Sequence, residues 1–325
     1  MFERALAIDE QALGPDHPDI ATDLHNLAEL NRLQGRHATA LPLYERALAI
    51  SRKSLGPDHP NLAASLDGLG RLYAATGRPE EAEAFYGRAL EILEKTFGAD
   101  HPKGAATLAG LADLHSKQRN FNKALDFSRR ATGIYQNRAI LSQHRTLGGR
   151  LSEQKKVRGF YLSHIGAIAK VLASRQSGPT TLIAEGFKIA QFARATGTAA
   201  GIAGMAARFA TGDDMLARLV REQQDRLTEW ARLDSALIAV VGRPRNARNA
   251  GEEAAQRQTL DETTAAVARL SERLAHEFPA YAEHISAKPV ALSAIQTLLA
   301  RDEVLMVYIS AADTTYLAPR RFKWN

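Results

Sequence analysis

No cysteine occurs anywhere in the 325 residues. That excludes disulfides, thiolate metal sites and a cysteine nucleophile. The N-terminus, "MFERALAIDEQALG", lacks the basic start and apolar stretch of a secretory signal, so a cytoplasmic location is expected. A long hydrophobic run is missing too. The most apolar window, "ATGTAAGIAGMAARFATG" from Ala195, is rich in small residues and contains Arg208. It falls short of the roughly 20 strongly apolar residues that span a bilayer, so no membrane partner is expected. No Ser-His-Asp or paired-carboxylate constellation has recognisable spacing, and His276 and His284 have no nucleophile to serve. Gly197, Gly201 and Gly204 have neither the lysine nor the strand context of a phosphate loop and read as close helix packing. The chain is therefore expected not to be an enzyme and to use no cofactor and no small-molecule substrate.

Hydrophobic residues make up 45% of the sequence, enough for a folded core. Lys and Arg exceed Asp and Glu by 42 to 36, a net charge of +6. Much of that excess lies between residues 138 and 175, where Arg138, Arg145, Arg150, Lys155, Lys156, Arg158, Lys170 and Arg175 face Glu153 alone. With no aromatic platform or nucleic-acid motif beside it, this run reads as a solvated helix face. Attraction to phosphate backbones is the alternative.

"LGPDHP" at residues 13–18 returns as "LGPDHP" at 55–60 and as "FGADHP" at 97–102, a period of 42 residues held twice. A fixed period of this size marks a solenoid. Apolar and small residues recur at helical spacing within it. One stripe runs Leu24, Leu27, Ala28 and Asn31, then Leu66, Leu69, Gly70 and Tyr73, then Leu108, Leu111, Ala112 and His115. A second, after the "QGR" and "TGR" turns, runs Ala40, Tyr44 and Ala47, then Ala82, Tyr86 and Ala89, then Ala124, Ser128 and Ala131. Each unit is a helical hairpin of a helix A and a helix B, with tyrosines filling the space between successive units.

These positions resemble the tetratricopeptide repeat, in its 42-residue, kinesin-light-chain-like variety, over roughly residues 1–136. The third copy departs from the pattern: Ser128 replaces the aromatic residue and "KQRN" replaces the glycine turn. Within "LGPDHP" the glycine suits a left-handed helix end, the aspartate precedes the next helix, and the second proline occupies its first turn. His17, His59 and His101 are not explained by punctuation. Packed helix layers should hold them about 10 Å or more apart, so no metal site is expected, and bonding to a neighbouring loop is the expected role.

Partner binding in such a solenoid usually falls to the concave face, lined by helix A residues that point away from helix B. By register these are His25, Glu29 and Arg32; Asp67, Arg71 and Ala74; and Ala109, Asp113 and Ser116. Their mixed charge suits a protein or peptide held by side-chain hydrogen bonds. An unoccupied polar surface is the competing reading.

Beyond Asn137 the period stops. "SEQKKVRGFYLSHIGAIAKVLAS" and "PTTLIAEGFKIAQFARA" read as another antiparallel pair, started in its second helix by Pro179. Leu216, Val220, Leu227, Trp230, Leu237 and Val241 then mark a heptad seam, answered by Leu260, Val267, Leu270, Leu274 and Phe278 across "GRPRNARNAGEE". A strand at Val304 to Ser310 and another at Thr315 to Ala318 follow a short helix. The expected fold is all-α: a repeat superhelix, a long antiparallel coiled-coil hairpin and a short terminal β-hairpin. The expected division is 1–136 repeats, 137–210 a diverged repeat or connecting helices, 211–280 the coiled coil, and 281–325 the opening of a further domain.

Residues 185–318 resemble the approach to, and first hairpin of, a CHAT domain. That caspase-like module commonly follows tetratricopeptide repeats in bacterial proteins. The resemblance is carried by "AQFARATGTAAGIAGMAARFATGDDMLARLVREQQDRLTEWARLDSALIA" and "EFPAYAEHISAKPVALSAIQTLLARDEVLMVYISAADTTYLA". It implies a parallel sheet and a His-Cys dyad, neither of which this sequence supplies. The expectation is a truncated, non-catalytic relative that binds a protein partner. The alternative is an accessory chain to a peptidase encoded separately.

Overall fold

The computed structural model describes residues 2–137, 147–174, 180–194, 214–279, 281, 289–298, 307–310 and 315–318. Gly197, Gly201, Gly204, Pro179, His284 and the basic residues Arg138, Arg145 and Arg175 lie outside them. So do the side chains of Arg150, Glu153 and Lys155.

Seven helices cover the periodic part: α1 (Phe2–Leu13), α2 (Pro18–Leu33), α3 (His37–Leu55), α4 (Pro60–Ala75), α5 (Pro79–Phe97), α6 (Pro102–Lys117) and α7 (Phe121–Asn137). Helices α2 and α3, α4 and α5, and α6 and α7 pair, and each B helix also packs on the A helix that follows it. Both apolar stripes are buried except for the half-buried Tyr73, and the buried set includes the polar members Asn31, His115 and Ser128. Close approach between units depends on missing side chains. A Cβ at Gly68 would lie 2.3 Å from the Tyr44 ring, and one at Gly110 would lie 2.9 Å from the Tyr86 ring. Tyr44 and Tyr86 thus fill the space between units, as one large rigid side chain per interface can.

The "LGPDHP" loops follow the punctuation reading in part. Gly14, Gly56 and Gly98 have φ of 89°, 94° and 91°, the left-handed conformation that ends a helix. The next helix, however, is capped by histidine and not by aspartate. His17, His59 and His101 are the N-cap residues, and the Nδ1 of each accepts the backbone N–H two residues on, at 3.3, 3.1 and 3.3 Å. Asp16 and Asp58 turn to the neighbouring B helix and pair with Lys53 at 2.5 Å and Lys95 at 2.6 Å. An imidazole Nδ1 can fill the acceptor position of Asp or Asn, which leaves the carboxylate for the longer contact.

Two more helices extend the stack. α8 (Leu147–Ala173) packs on α7, and α9 (Thr180–Arg194) packs on α8. Tyr161, Ile165, Ile189, Ala190 and Ala193 form their joint core. α10 (Asp214–Val241) and α11 (Ala250–Glu277), joined through a 3₁₀ turn at Arg245–Ala247, form a helical hairpin. Its contacts converge on the turn: Val220 with Leu274, Gln223 with Ser271, Trp230 with Thr264, Arg243 with Glu252. That progression is antiparallel pairing. Gln223, which interrupts the apolar seam, is satisfied by Ser271 at 2.9 Å.

The turn end of this hairpin rests on the repeats. Leu237 and Val241 are buried with Leu62, Leu66, Ile92 and Phe97 of α4 and α5. His101 stacks on Phe97 at 4.7 Å and lies 3.5 Å from Asp234, and Arg257 donates to the Thr96 carbonyl. Further on come α12 (Leu292–Leu298) and two antiparallel strands, β1 (Val307–Ser310) and β2 (Thr315–Ala318), with Val307 opposite Ala318. Among the described residues no helix is long and apolar enough to cross a membrane.

Candidate partner-binding groove

Helices α2, α4 and α6 present the residues that the 42-residue register aligns. Glu29 on α2 is the hub. Arg32, one turn on, donates to it twice, at 2.6 and 2.8 Å, and the Tyr44 hydroxyl donates at 2.6 Å from α3. Arg71 of α4 reaches the same carboxylate at 3.9 Å while pairing with Asp67 at 2.7 Å. Asp67 in turn accepts from the Thr107 hydroxyl of α6 at 2.8 Å. One ionic ladder therefore crosses three successive A helices.

The ladder is partly buried, with Asp67 14% and Arg32 17% exposed, so its charges act through a medium less polarisable than water. Hydrogen bonds from Arg32 hold the Glu29 carboxyl down to about 2 against the opposing effect of burial. Burial, reinforced by Glu29, pushes the Tyr44 phenol well above its ordinary range. His25 stands edge-on to Tyr44 at 5.6 Å, and burial lowers its imidazole in spite of Glu29 and Asp67. At neutral pH the groove thus holds an ionised Glu29, a neutral His25 and a neutral Tyr44.

Five of the seven polar residues expected in the groove, His25, Glu29, Arg32, Asp67 and Arg71, lie in or against this ladder. Asp113 and Ser116 sit on α6 outside its hydrogen bonds. Asp113 pairs with Lys117 at 2.8 Å, and Ser116 accepts from Lys170 of α8. Carboxylates and cations alternate along the surface and neutralise one another, so the groove carries no bias toward acidic or basic ligands. What it offers is a preset array of donors and acceptors. Beside it, Tyr73 stacks on Phe85 at 5.2 Å with the Arg78 guanidinium 4.4 Å above the tyrosine ring, and His115 stacks on Phe127 at 5.4 Å. The aromatic pairs are themselves 42 residues apart.

A second polar cluster escapes sequence reasoning. His164 of α8, 2% exposed, lies between the Thr132 hydroxyl of α7 at 2.9 Å and the Glu185 carboxylate of α9 at 3.0 Å, and Arg129 pairs with Glu185 at 2.7 Å. Burial works to raise the Glu185 carboxyl, but bonds from Arg129 and His164 outweigh it and hold it at about 2. The four residues span α7, the last helix of the periodic part, and two helices beyond the period. Only His164, falling on the stripe of Tyr161, Ile165, Ile168 and Val171, gave a sequence signal. The cluster lines a cleft of about 850 Å³ whose far wall is Pro289–Ser293.

A model of the tetratricopeptide repeat family matches residues 1–53, 24–95 and 73–137, so the first 137 residues carry tetratricopeptide repeats. None of the curated proteins matches the chain. Among solved structures, BtubC (BKLC) from P. vanneervenii is similar at 21% identity over 58% of this chain and 70% of its own, with a TM-score of 0.46. A kinesin light chain with nearly identical TPR-like repeats from Podosopora anserina is similar at 19% identity over 79% and 99%, with a TM-score of 0.39. A point variant of that kinesin light chain is similar at 18% over 80% and 98%, again with a TM-score of 0.39.

Proposed function

We propose that this protein is a non-catalytic interaction scaffold that takes a protein or peptide segment along the groove of α2, α4 and α6. The observation that carries the reading is the ionic ladder. Holding Glu29, Arg32, Arg71 and Asp67 in one fixed network fixes the positions of their remaining donors and acceptors before a partner arrives, which reduces the ordering cost of binding. His25, Glu29, Arg32, Asp67, Arg71, Asp113 and Ser116 are the proposed contact residues. Charge balance favours a partner of mixed composition over a polyanion, so nucleic acid is not the proposed ligand.

Relationship to tetratricopeptide-CHAT proteins is proposed for the rest of the chain. The α10–α11 hairpin, read as a coiled coil, and the paired strands that follow it stand in the order which that resemblance implies. Residues 1–136, 137–210, 211–280 and 281–325 remain the proposed divisions, in a cytoplasmic protein. The absence of cysteine from all 325 residues supports a second reading, in which a caspase-like partner supplies its His-Cys dyad from another chain.

The groove is tested by filling it. Ala74→Arg together with Ala109→Arg places two long side chains in the aligned columns without removing any member of the ladder. Expected is loss of at least tenfold in partner capture with an unchanged thermal unfolding midpoint. Undiminished capture by the folded double variant overturns the assignment.

A further inference from the structure

The cleft between α7, α8 and α9 is closed on one side by a segment from far along the chain, Pro289–Ser293. Gln191 of α9 holds that segment by its main chain. Its Nε2 donates to the Val290 carbonyl at 2.9 Å, and the Val290 N–H donates to its Oε1 at 2.8 Å. A primary amide presents a donor and an acceptor side by side in one plane. It thereby copies what a neighbouring strand offers to one residue of an open ladder. Such a clamp reads backbone and not side chain, and the Val290 side chain is 49% exposed. Pro289 brings no N–H that would need a partner. Beneath the segment, Ala184 and Ile189 give an apolar floor, and the Nε2 of Gln136 is buried without an acceptor among the described residues. The segment satisfies the clamp and leaves that donor unused.

We propose that Gln191 and the α7–α9 cleft form a binding site for an extended polypeptide segment that leads into a helix, occupied here in cis by residues 289–291 and the first two residues of α12, Leu292 and Ser293. The partner it fits is a proline-containing run of small aliphatic residues with one side-chain acceptor to reach Gln136. Main-chain capture with pockets for alternate side chains is the physical basis of strand-type recognition. A tethered occupant competes at a high effective concentration, so a partner binds in proportion to how often the cis segment leaves. The site is separate from the α2–α4–α6 groove and stands or falls independently of it.

The probe is a labelled peptide of sequence AKPVALSAIQ, residues 287–296, titrated into the full chain. Val290→Pro deletes the N–H that Gln191 accepts and releases the cis segment. This variant is expected to bind the peptide at least tenfold more tightly than the unaltered chain, and adding Gln191→Ala should abolish the gain. Equal binding by both chains, or a gain that survives Gln191→Ala, overturns the proposal. Should Val290→Pro disturb folding, hydrogen exchange in the unaltered chain decides. Excess unlabelled peptide should speed exchange at the Val290 amide, and exchange that stays unchanged contradicts displacement.

Discussion

Arg119 takes the place that Gly35 and Gly77 hold in the two preceding units. All three have positive φ, at 64°, 74° and 76°, and a side chain there costs about 1 kcal/mol. The sequence showed the departure as "KQRN"; the structure shows that the turn geometry persists without its glycine. Glu29 gives the residue scale its measurable consequence. Its carboxyl sits at about 2 in the folded chain against an ordinary 4.5. The unfolded chain therefore takes up the proton first on acidification. The stabilisation is fully present above about pH 4.5 and is lost as pH falls toward 2, an effect on the order of 2 kcal/mol. Urea unfolding across this range should show a falling midpoint. Glu29→Gln should lower stability at neutral pH by about 2 kcal/mol and make the fall shallower, with Glu185 accounting for much of what remains.

Helices and turns were legible because the period repeats each instruction. Proline starts, glycine stops and the i, i+3, i+4 stripes placed α2 through α7 from residue types alone. Which residue caps the helix was not legible, because Asp and His stand side by side in "PDHP" and propensity favours Asp. What decided it was the reach of Lys53 and Lys95 on the next helix, a tertiary contact. The same residue class couples the loops to the α10–α11 hairpin. His59 is 1% exposed, against the Gly242–Arg243 backbone, and burial lowers its imidazole. A cap acceptor at Nδ1 must stay unprotonated, and the nearby cations Arg248 and Lys103 also oppose a proton. Since the folded value lies below the unfolded one, this contribution is complete above about pH 6.5 and declines below it. Protection factors for hydrogen exchange, which remove the intrinsic slowing of amide exchange at lower pH, should fall in the first turn of α4 and at residues 237–243 as pH drops from about 7.5 to about 5.5. His59→Asn keeps a cap acceptor and should remove the pH dependence; dependence that persists in the variant assigns it elsewhere.

At the scale of the molecule, spacing identified the repeat but could not show how its polar face is wired. Register aligned Glu29 with Arg71 and Asp113, and only the first two meet. Asp113 and Ser116 turn instead to Lys117 and Lys170, the latter from a helix beyond the period. The Thr132, His164 and Glu185 cluster was illegible for the same reason: its members share no period, and their contacts exist only once α8 and α9 have stacked. The docking of the hairpin on α4 and α5 was likewise silent in a heptad pattern that describes only how α10 meets α11.

The central claim is that partners enter along α2, α4 and α6. Photo-crosslinking from single positions in the full chain tests it most directly, with the crosslinker at Ala74 or Ala109 in the groove and at the exposed Glu45 of α3 as reference. The account predicts one shared adduct from both groove positions, absent from position 45. Adducts from position 45 alone, or equal yields from all three, would contradict it.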